Sequence, residues 1–211
     1  VTFRIARIED GSRYLDRTTD ENGEILVSDL EPGIYSVTET ATLPDHILDT
    51  TEYHVELSPG RTSELRLTND KRPSLTIHKS DADTDEPVAG AVFTVKAADG
   101  STVTEVTTGT DGTVTVDNLL PIVYEVIEKS VPEPYLLAEE SQTVTLYPNR
   151  DRDVYFENYK RPVIEIIKEN ENTHDPLENV PVQVWYASND PATGEDNALG
   201  LFLPHTEGRM V

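Results

Sequence analysis

The chain has 211 residues, with 17 Lys and Arg against 40 Asp and Glu, so its formal net charge is −23. This excess of acid argues against nucleic acid and against an anionic membrane surface as partners, because both are bound through Lys and Arg. The chain has no Cys, which excludes disulfides, thiolate metal sites and a Cys nucleophile. No apolar run is long enough to span a bilayer, so we expect no membrane insertion by this segment.

Alternation of apolar and polar residues predicts short β-strands along the chain. In chain order, the clearest are residues 35–39, 65–69, 75–79, 91–95, 114–116, 124–128, 142–146, 154–158 and 164–168. Turn-forming pairs such as Asp99-Gly100, Asp111-Gly112 and Pro148-Asn149 separate several of them. Short, regularly spaced strands without a convincing helical period predict an all-β fold built from β-sandwiches.

The sequence also repeats itself at an offset of 89 residues, as from Asn69 to Asn158 and from Lys79 to Lys168. We therefore divide the chain into a first copy (1–70) that lacks its first strand, a complete second copy (71–159) and the start of a truncated third copy (160–211). Lys-Arg-Pro motifs at 71–73 and 160–162 mark the joints. Because Pro restricts the backbone, we expect short, stiff links and copies arranged end to end.

Several polar residues fall in phase with the apolar residues of their strands. They are Lys79, Glu128 and Asn158 in the second copy, Glu39 and Asn69 in the first, and Lys168 in the third. One interpretation places them at strand ends, where side chains reach solvent. A second is a buried Lys–Glu ion pair hydrogen-bonded to Asn, although such pairs are a poor source of stability.

A third interpretation is chemical. In an apolar core the pKa of Lys falls and that of Glu rises. The neutral amine is then a nucleophile, and the protonated acid can polarise the Asn carbonyl and transfer protons. Fixing the three groups together would remove the entropic barrier to amide exchange, and a Lys–Asn isopeptide bond would form with loss of ammonia.

The motifs around these residues resemble those of the Cna B-type (SpaA-like, prealbumin-like) domains of Gram-positive surface proteins and pilins. Residues 79–93 are similar to that family's K-x-D … G-x-x-F pattern, 124–135 to its Y-x-x-x-E-x-x-A-P-x-G-Y box, and 156–158 to its closing F-x-N. Pro134 departs from the box, which has Gly at that place. The resemblance implies tandem immunoglobulin-like or prealbumin-like β-sandwiches.

The resemblance also implies roles for single residues. Lys79 and Asn158 would be the crosslinked pair, and Glu128, with Glu39 in the first copy, would be the acid that promotes the bond. Asn69 and Lys168 would crosslink with partners outside the chain. It implies no metal, no cofactor and no enzyme activity beyond this autocatalytic bond.

We therefore expect a stalk or spacer segment of an adhesin at the cell surface or cell wall of a Gram-positive bacterium. Its partners would be neighbouring repeats of the same protein, with a host or cell-surface ligand bound through other domains. Two alternatives stay open. One is a pilus shaft subunit, although we interpret the sortase-like residues 203–206 as a turn. The other is a module that binds a host ligand through the loop 187–200.

Overall fold

A computed structural model describes residues 1–9, 14–138, 141–186 and 197–202. The sortase-like residues 203–206 and most of the loop 187–200 lie outside the described residues. The chain divides into two compact units, residues 1–160 and residues 161–211.

Within the described residues the chain forms thirteen strands and no helix. The first unit contains β1 (Thr2–Arg7), β2 (Tyr14–Thr18), β3 (Gly33–Ala41), β4 (Glu52–Leu57), β5 (Leu75–Asp81), β6 (Val92–Ala97), β7 (Thr102–Thr107), β8 (Thr113–Val116), β9 (Val123–Ser130), β10 (Ser141–Thr145) and β11 (Arg152–Asn158). The second unit contains β12 (Val182–Tyr186) and β13 (Asn197–Phe202), which pair antiparallel. The predicted all-β architecture is confirmed.

The second copy is a sandwich of two sheets, with strand orders β10-β9-β6-β7 and β11-β5-β8. β5 is the central strand of the smaller sheet, where it pairs parallel with β11 and antiparallel with β8. Apolar residues from both sheets fill the space between them, and the rings of Phe93 and Phe156 lie 4.8 Å apart there. The period-two alternation of the sequence therefore sorts side chains into this core as predicted.

The first copy has one sheet, with the order β2-β1-β3-β4, which corresponds to the larger sheet of the second copy. Residues 63–69, which the repeat aligns with β11, form no strand, so the strand predicted at 65–69 is wrong. The physical reason is the absence of a partner. In the second copy β11 and β8 both pair with β5, and no described strand of the first copy takes the place of β5.

The joint between the first two copies is held by hydrogen bonds from Asn149, in the turn between β10 and β11. Its Oδ1 accepts from the backbone N of Lys71 at 2.6 Å, and its Nδ2 donates to Asp70 Oδ1 at 2.7 Å. Its backbone N donates to Lys71 O at 2.9 Å. Arg72 adds bonds from its guanidinium to the carbonyl oxygens of His46 and Asn118.

In the second unit, residues 164–168 do not form the predicted strand: only Ile167 among them is in an isolated bridge, and the neighbouring Glu169 bridges to Pro176. The segment that follows nevertheless has a backbone hydrogen bond equivalent to one in the second copy. Leu177 N donates to Lys168 O at 2.9 Å, as Val88 N does to Lys79 O, also at 2.9 Å. The 89-residue repeat is therefore visible in backbone hydrogen bonds as well as in sequence.

Candidate crosslinking site

Lys79 is one of the most deeply buried large side chains of the molecule, with 2% of its surface exposed. It lies on β5 in phase with Leu75 and Ile77, which are also buried. Its Nζ donates to the carbonyl oxygens of Ser80 at 2.7 Å and Phe156 at 3.3 Å. Burial lowers the pKa of the Lys79 amine, because the core disfavours its charged form, and the nearby charge of Glu128 partly opposes this shift.

Glu128 faces this amine from the opposite sheet. It lies on β9, paired with Phe93 of β6, and is 4% exposed. Asn158, at the end of β11, is 1% exposed and donates from Nδ2 to Glu128 Oε2 at 2.9 Å. Asn158 Oδ1 is buried and has no hydrogen-bond partner among the described residues.

The three side chains therefore meet in one part of the core, at the end of the sandwich where β5 and β11 finish. Lys79 pairs with Phe156, two residues before Asn158, so Lys79 and Asn158 point into the same core from neighbouring strands. An amine with a lowered pKa, a buried carboxyl group and a carboxamide with an unpartnered carbonyl oxygen are the groups that amide exchange requires. The arrangement can hold the three groups together in the core, where each is at most 4% exposed.

A second cluster, which the sequence analysis did not identify, supports the end of β5. Asp81 is 1% exposed, and its Oδ2 accepts from Lys160 Nζ at 2.6 Å and from Tyr135 OH at 3.0 Å. Its Oδ1 accepts from the backbone N of Asp83 at 2.9 Å. Lys160 holds the pKa of this carboxyl group well below its usual range. The K-x-D spacing could have predicted the burial of Asp81, because residues two apart on a strand point to the same face and Lys79 is buried.

Residues 81–85, which resemble the start of a calcium loop in sequence, form a turn around Asp81 in the structure. The described part of the chain holds no cluster of three or more His, Asp and Glu arranged to bind a metal ion. Among the same residues, no helix has the length and apolar character needed to cross a membrane.

The first copy contains the acid and the amide of this site. Glu39, on β3, is 5% exposed, and its Oε2 accepts from Asn69 Nδ2 at 2.6 Å and from the backbone N of Asp49 at 2.9 Å. Glu39 pairs with Phe3, as Glu128 pairs with Phe93. Lys168, the remaining residue singled out in sequence, lies in the second unit and is exposed.

Several solved structures are similar to this chain at low sequence identity, each with a TM-score below 0.5. The Bacillus anthracis TIE protein has a TM-score of 0.45 at 22% identity, over 99% of this chain and 38% of that chain. GBS52, the minor pilin of Streptococcus agalactiae, has a TM-score of 0.40 at 18% identity, over 80% of this chain and 86% of that chain. The shaft pilin SpaA of Lactobacillus rhamnosus GG has a TM-score of 0.43 at 15% identity, over 78% of this chain and 88% of that chain.

This chain thus spans 38% of the length of the TIE protein. No curated protein sequence matches it significantly. The family model for the SpaA prealbumin-like fold domain matches it twice in succession, at residues 1–71 and 73–160. These two matches support the tandem arrangement and cover most of the chain. The chain therefore belongs to the SpaA family of prealbumin-like fold domains.

Proposed function

We propose that this chain is a structural segment of a stalk on the surface of a Gram-positive bacterium, whose copies are stiffened by autocatalytic Lys–Asn isopeptide bonds. The bond of the second copy joins Lys79 Nζ to the side-chain carbonyl carbon of Asn158. Its neighbouring repeats are its structural partners, and an adhesive end elsewhere in the parent protein would contact the ligand.

The observation that carries this proposal is the shared burial of Lys79, Glu128 and Asn158 between the two sheets. Isolated buried charges cost free energy, so a core of this kind needs a compensating role. A static ion pair leaves the buried carbonyl oxygen of Asn158 without a use. Amide exchange gives this carboxamide a role, because the amine attacks its carbon and Glu128, whose Oε2 lies 2.9 Å from Nδ2, protonates the nitrogen that leaves.

The reaction balances without a cofactor. The Lys79 amine attacks the Asn158 carboxamide carbon, the C–N bond to Nδ2 breaks, and Glu128 relays the proton that lets ammonia leave. The product links the first and last strands of the second copy, which are paired in parallel. We expect a pulling force applied along the stalk to pass through this covalent link, so the sandwich need not unfold under load.

Intact-mass measurement of the folded 211-residue chain tests the proposal. We expect a loss of about 17 Da for one ammonia, and a branched peptide joining Lys79 to Asn158 after proteolysis. Glu128→Ala should restore the full mass. Glu157→Ala is the matched control, because Glu157 is exposed and influences Lys79 only through its charge. A folded chain with an unshifted mass would overturn the bond.

A further inference from the structure

Asn158 is the reactant of the proposed crosslink whose position most needs support. It is the last residue of β11, and β11 is the outer strand in the order β11-β5-β8. Strand ends open more readily than strand centres, whereas attack on an amide needs its carbon within about 3–3.5 Å of the amine. The contacts that hold the chain beyond Asn158 therefore bear directly on the reaction.

Two residues beyond Asn158, Lys160 reaches back to the buried Asp81. Lys160 Nζ lies 2.6 Å from Asp81 Oδ2, and the two side chains are 45% and 1% exposed respectively. The OH of Tyr135 donates to the same oxygen at 3.0 Å. Asp81 itself lies two residues beyond Lys79 on β5. Each reactant is thus followed, at the same spacing, by one member of this ion pair.

The ion pair also crosses between the two strands on the same diagonal as the proposed crosslink. Lys79 lies opposite Phe156 in the parallel register, so the crosslink would join it to the residue two places further on, Asn158. Asp81 lies opposite Asn158, and its ion pair likewise joins it to the residue two places further on, Lys160. A contact with this diagonal, placed next to the reactants, fixes the strand offset that the crosslink needs.

The carboxylate of Asp81 is a rigid anchor for this contact. Its Oδ1 accepts from the backbone N of Asp83 at 2.9 Å and of Thr84 at 3.3 Å, within the turn that follows β5. Because these bonds fix one carboxylate oxygen, the other oxygen presents an acceptor in a fixed place. Lys160 is therefore drawn to a defined point at the end of β5, and the chain that carries it is held there.

The charges of the pair also act on the reacting amine. Three carboxylates favour the charged form of Lys79: Glu128 on β9, Glu157 on β11 and Asp81 on β5. The neutral amine is the form that attacks a carbonyl carbon. Lys160 is paired with Asp81, so its positive charge offsets one of these three negative charges.

We propose that the Asp81–Lys160 ion pair is a positioning device for the crosslinking reaction of the second copy. It keeps Asn158 aligned with Lys79, and it offsets the negative charge of Asp81 near the reacting amine. Both members act through the strands and through charge rather than on the reacting atoms, so both are positioning residues. This inference rests on the proposed function, because it concerns the same reaction.

The rate of ammonia loss in freshly made 211-residue chain tests this inference. The chain is synthesised in a short cell-free pulse, unfolded in concentrated urea, diluted into buffers of different pH and followed by intact mass. Lys160→Met keeps the length of the side chain and removes its charge. We expect this variant to lose ammonia roughly 10- to 100-fold more slowly than the wild type, because small displacements of a reactant have effects of this size. Lys160→Arg, which keeps the charge, should retain most of the rate.

The pH dependence of the rate separates positioning from a general loss of stability. In Lys160→Met the charge of Asp81 is uncompensated and favours the protonated amine, so the rate should rise at higher pH than in the wild type. Asp81→Asn removes that negative charge, so its rate, although also reduced, should rise at lower pH. Slower reactions with unshifted pH profiles in both variants would overturn the inference, since a merely weakened fold moves neither profile.

Folding of each variant is checked by near-ultraviolet circular dichroism after dilution. The backbone supports this end of the sandwich without the ion pair, since Leu136 N donates to Tyr159 O at 2.9 Å. If Lys160→Met still fails to fold, Tyr135→Phe takes its place, because it removes only one hydrogen bond to Asp81. Tyr135→Phe should also slow the reaction, and a wild-type rate in that variant would count against the inference.

Lys129→Met is the matched control, because it removes a lysine from an exposed ion pair with Glu105 in the same copy. This control should keep the rate and the pH profile of the wild type. If the wild type loses about 17 Da and Lys160→Met matches its rate and profile, the positioning role is wrong and the proposed function stands. If the wild type itself loses no ammonia, both are wrong.

Discussion

Asn158 donates a hydrogen bond to Glu128 across the two sheets of the second copy at 2.9 Å, and Asn69 donates to Glu39 in the first copy at 2.6 Å. The first pair has the buried Lys79 beside it, whereas residues 1–70 contain no Lys. The acid and the amide therefore make the same contact in both copies, with and without a Lys beside them.

Removing the acid should lower the stability of the second copy. The Lys79–Asn158 bond would close a loop of 80 residues (158 − 79 + 1). By the chain-entropy estimate, such a crosslink stabilises by roughly 4–5 kcal/mol. We expect Glu128→Gln, which cannot donate a proton, to lower the free energy of unfolding by about this amount in urea titrations.

Lys79→Met provides a second route to the uncrosslinked protein, with an apolar chain of similar length in the core. Both variants should have the full mass and a similar loss of stability, whereas the exposed Glu157→Gln should match the wild type. An uncrosslinked variant that unfolds at the wild-type urea concentration would show that the bond contributes nothing to stability.

Replacing Asp81 should make the folding stability of the second copy depend less on pH in the acid range. The pKa of Asp81 is lowered in the folded state, chiefly by Lys160, so its contribution is complete above the unfolded pKa of about 4. The stability that ionised Asp81 contributes is lost as the pH falls from about 4 toward its lower pKa in the folded state. We expect Asp81→Asn to be less stable at neutral pH and to lose less further stability below about pH 4.

Thermal unfolding between neutral and acidic pH measures this difference. Asp83→Asn is the control, because it removes an exposed carboxylate from the same turn and leaves Asp81 with its hydrogen bonds, so its pH profile should match that of the wild type. Parallel pH profiles for wild type and Asp81→Asn would contradict the assignment of Asp81 as an electrostatic anchor of β5.

Replacing Asn149 should loosen the joint between the first two copies. Asn149 has a φ of 59°, so Asn149→Gly retains the turn while it removes the two side-chain hydrogen bonds to residues 70–71. We expect the rotational correlation times of the two copies, from 15N relaxation, to be equal in the wild type and to differ in the variant.

Asp29→Gly is the matched control, because Asp29 has a φ of 61° and its side chain accepts from Ser28 within the first copy. This control should leave the two correlation times equal. The same result for Asn149→Gly would show that the remaining contacts, such as those of Arg72, hold the joint without Asn149.

Adding a methyl group at Gly112 should damage the crosslinking site. Its φ is 73°, and a Cβ there would lie 2.6 Å from Lys79 O and 2.7 Å from the Pro87 Cβ. Gly100 has a φ of 83° and open space around it. We expect Gly100→Ala to cost about 1–2 kcal/mol from its backbone conformation alone, and Gly112→Ala to cost more.

Urea unfolding compares the two variants, and intact mass reports crosslinking in each. Gly112→Ala should also reduce the crosslinked fraction, since it displaces the backbone of Lys79, whereas Gly100→Ala should crosslink fully. Equal stability losses, with full crosslinking in both, would mean that the chain near Gly112 can move aside without disturbing Lys79.

The strand content, the 89-residue repeat and the identity of the in-phase polar residues follow from local sequence patterns alone. Alternation is a local property, because successive side chains of a strand point to opposite faces whatever the strand pairs with. Lys79, Glu128 and Asn158 could therefore be assigned to apolar faces by counting from Leu75, Tyr124 and Val154.

Which of the alternating segments form strands depends instead on contacts between distant parts of the chain. Residues 65–69 and 154–158 alternate alike, yet only the latter form a strand, because a strand needs hydrogen bonds from a neighbour distant in sequence. For the same reason, local sequence patterns could not predict the hydrogen bonds of Asn149 at the joint or the ion pair between Asp81 and Lys160. Each depends on donors about 80 residues away, such as the backbone N of Lys71, which the fold alone brings within reach.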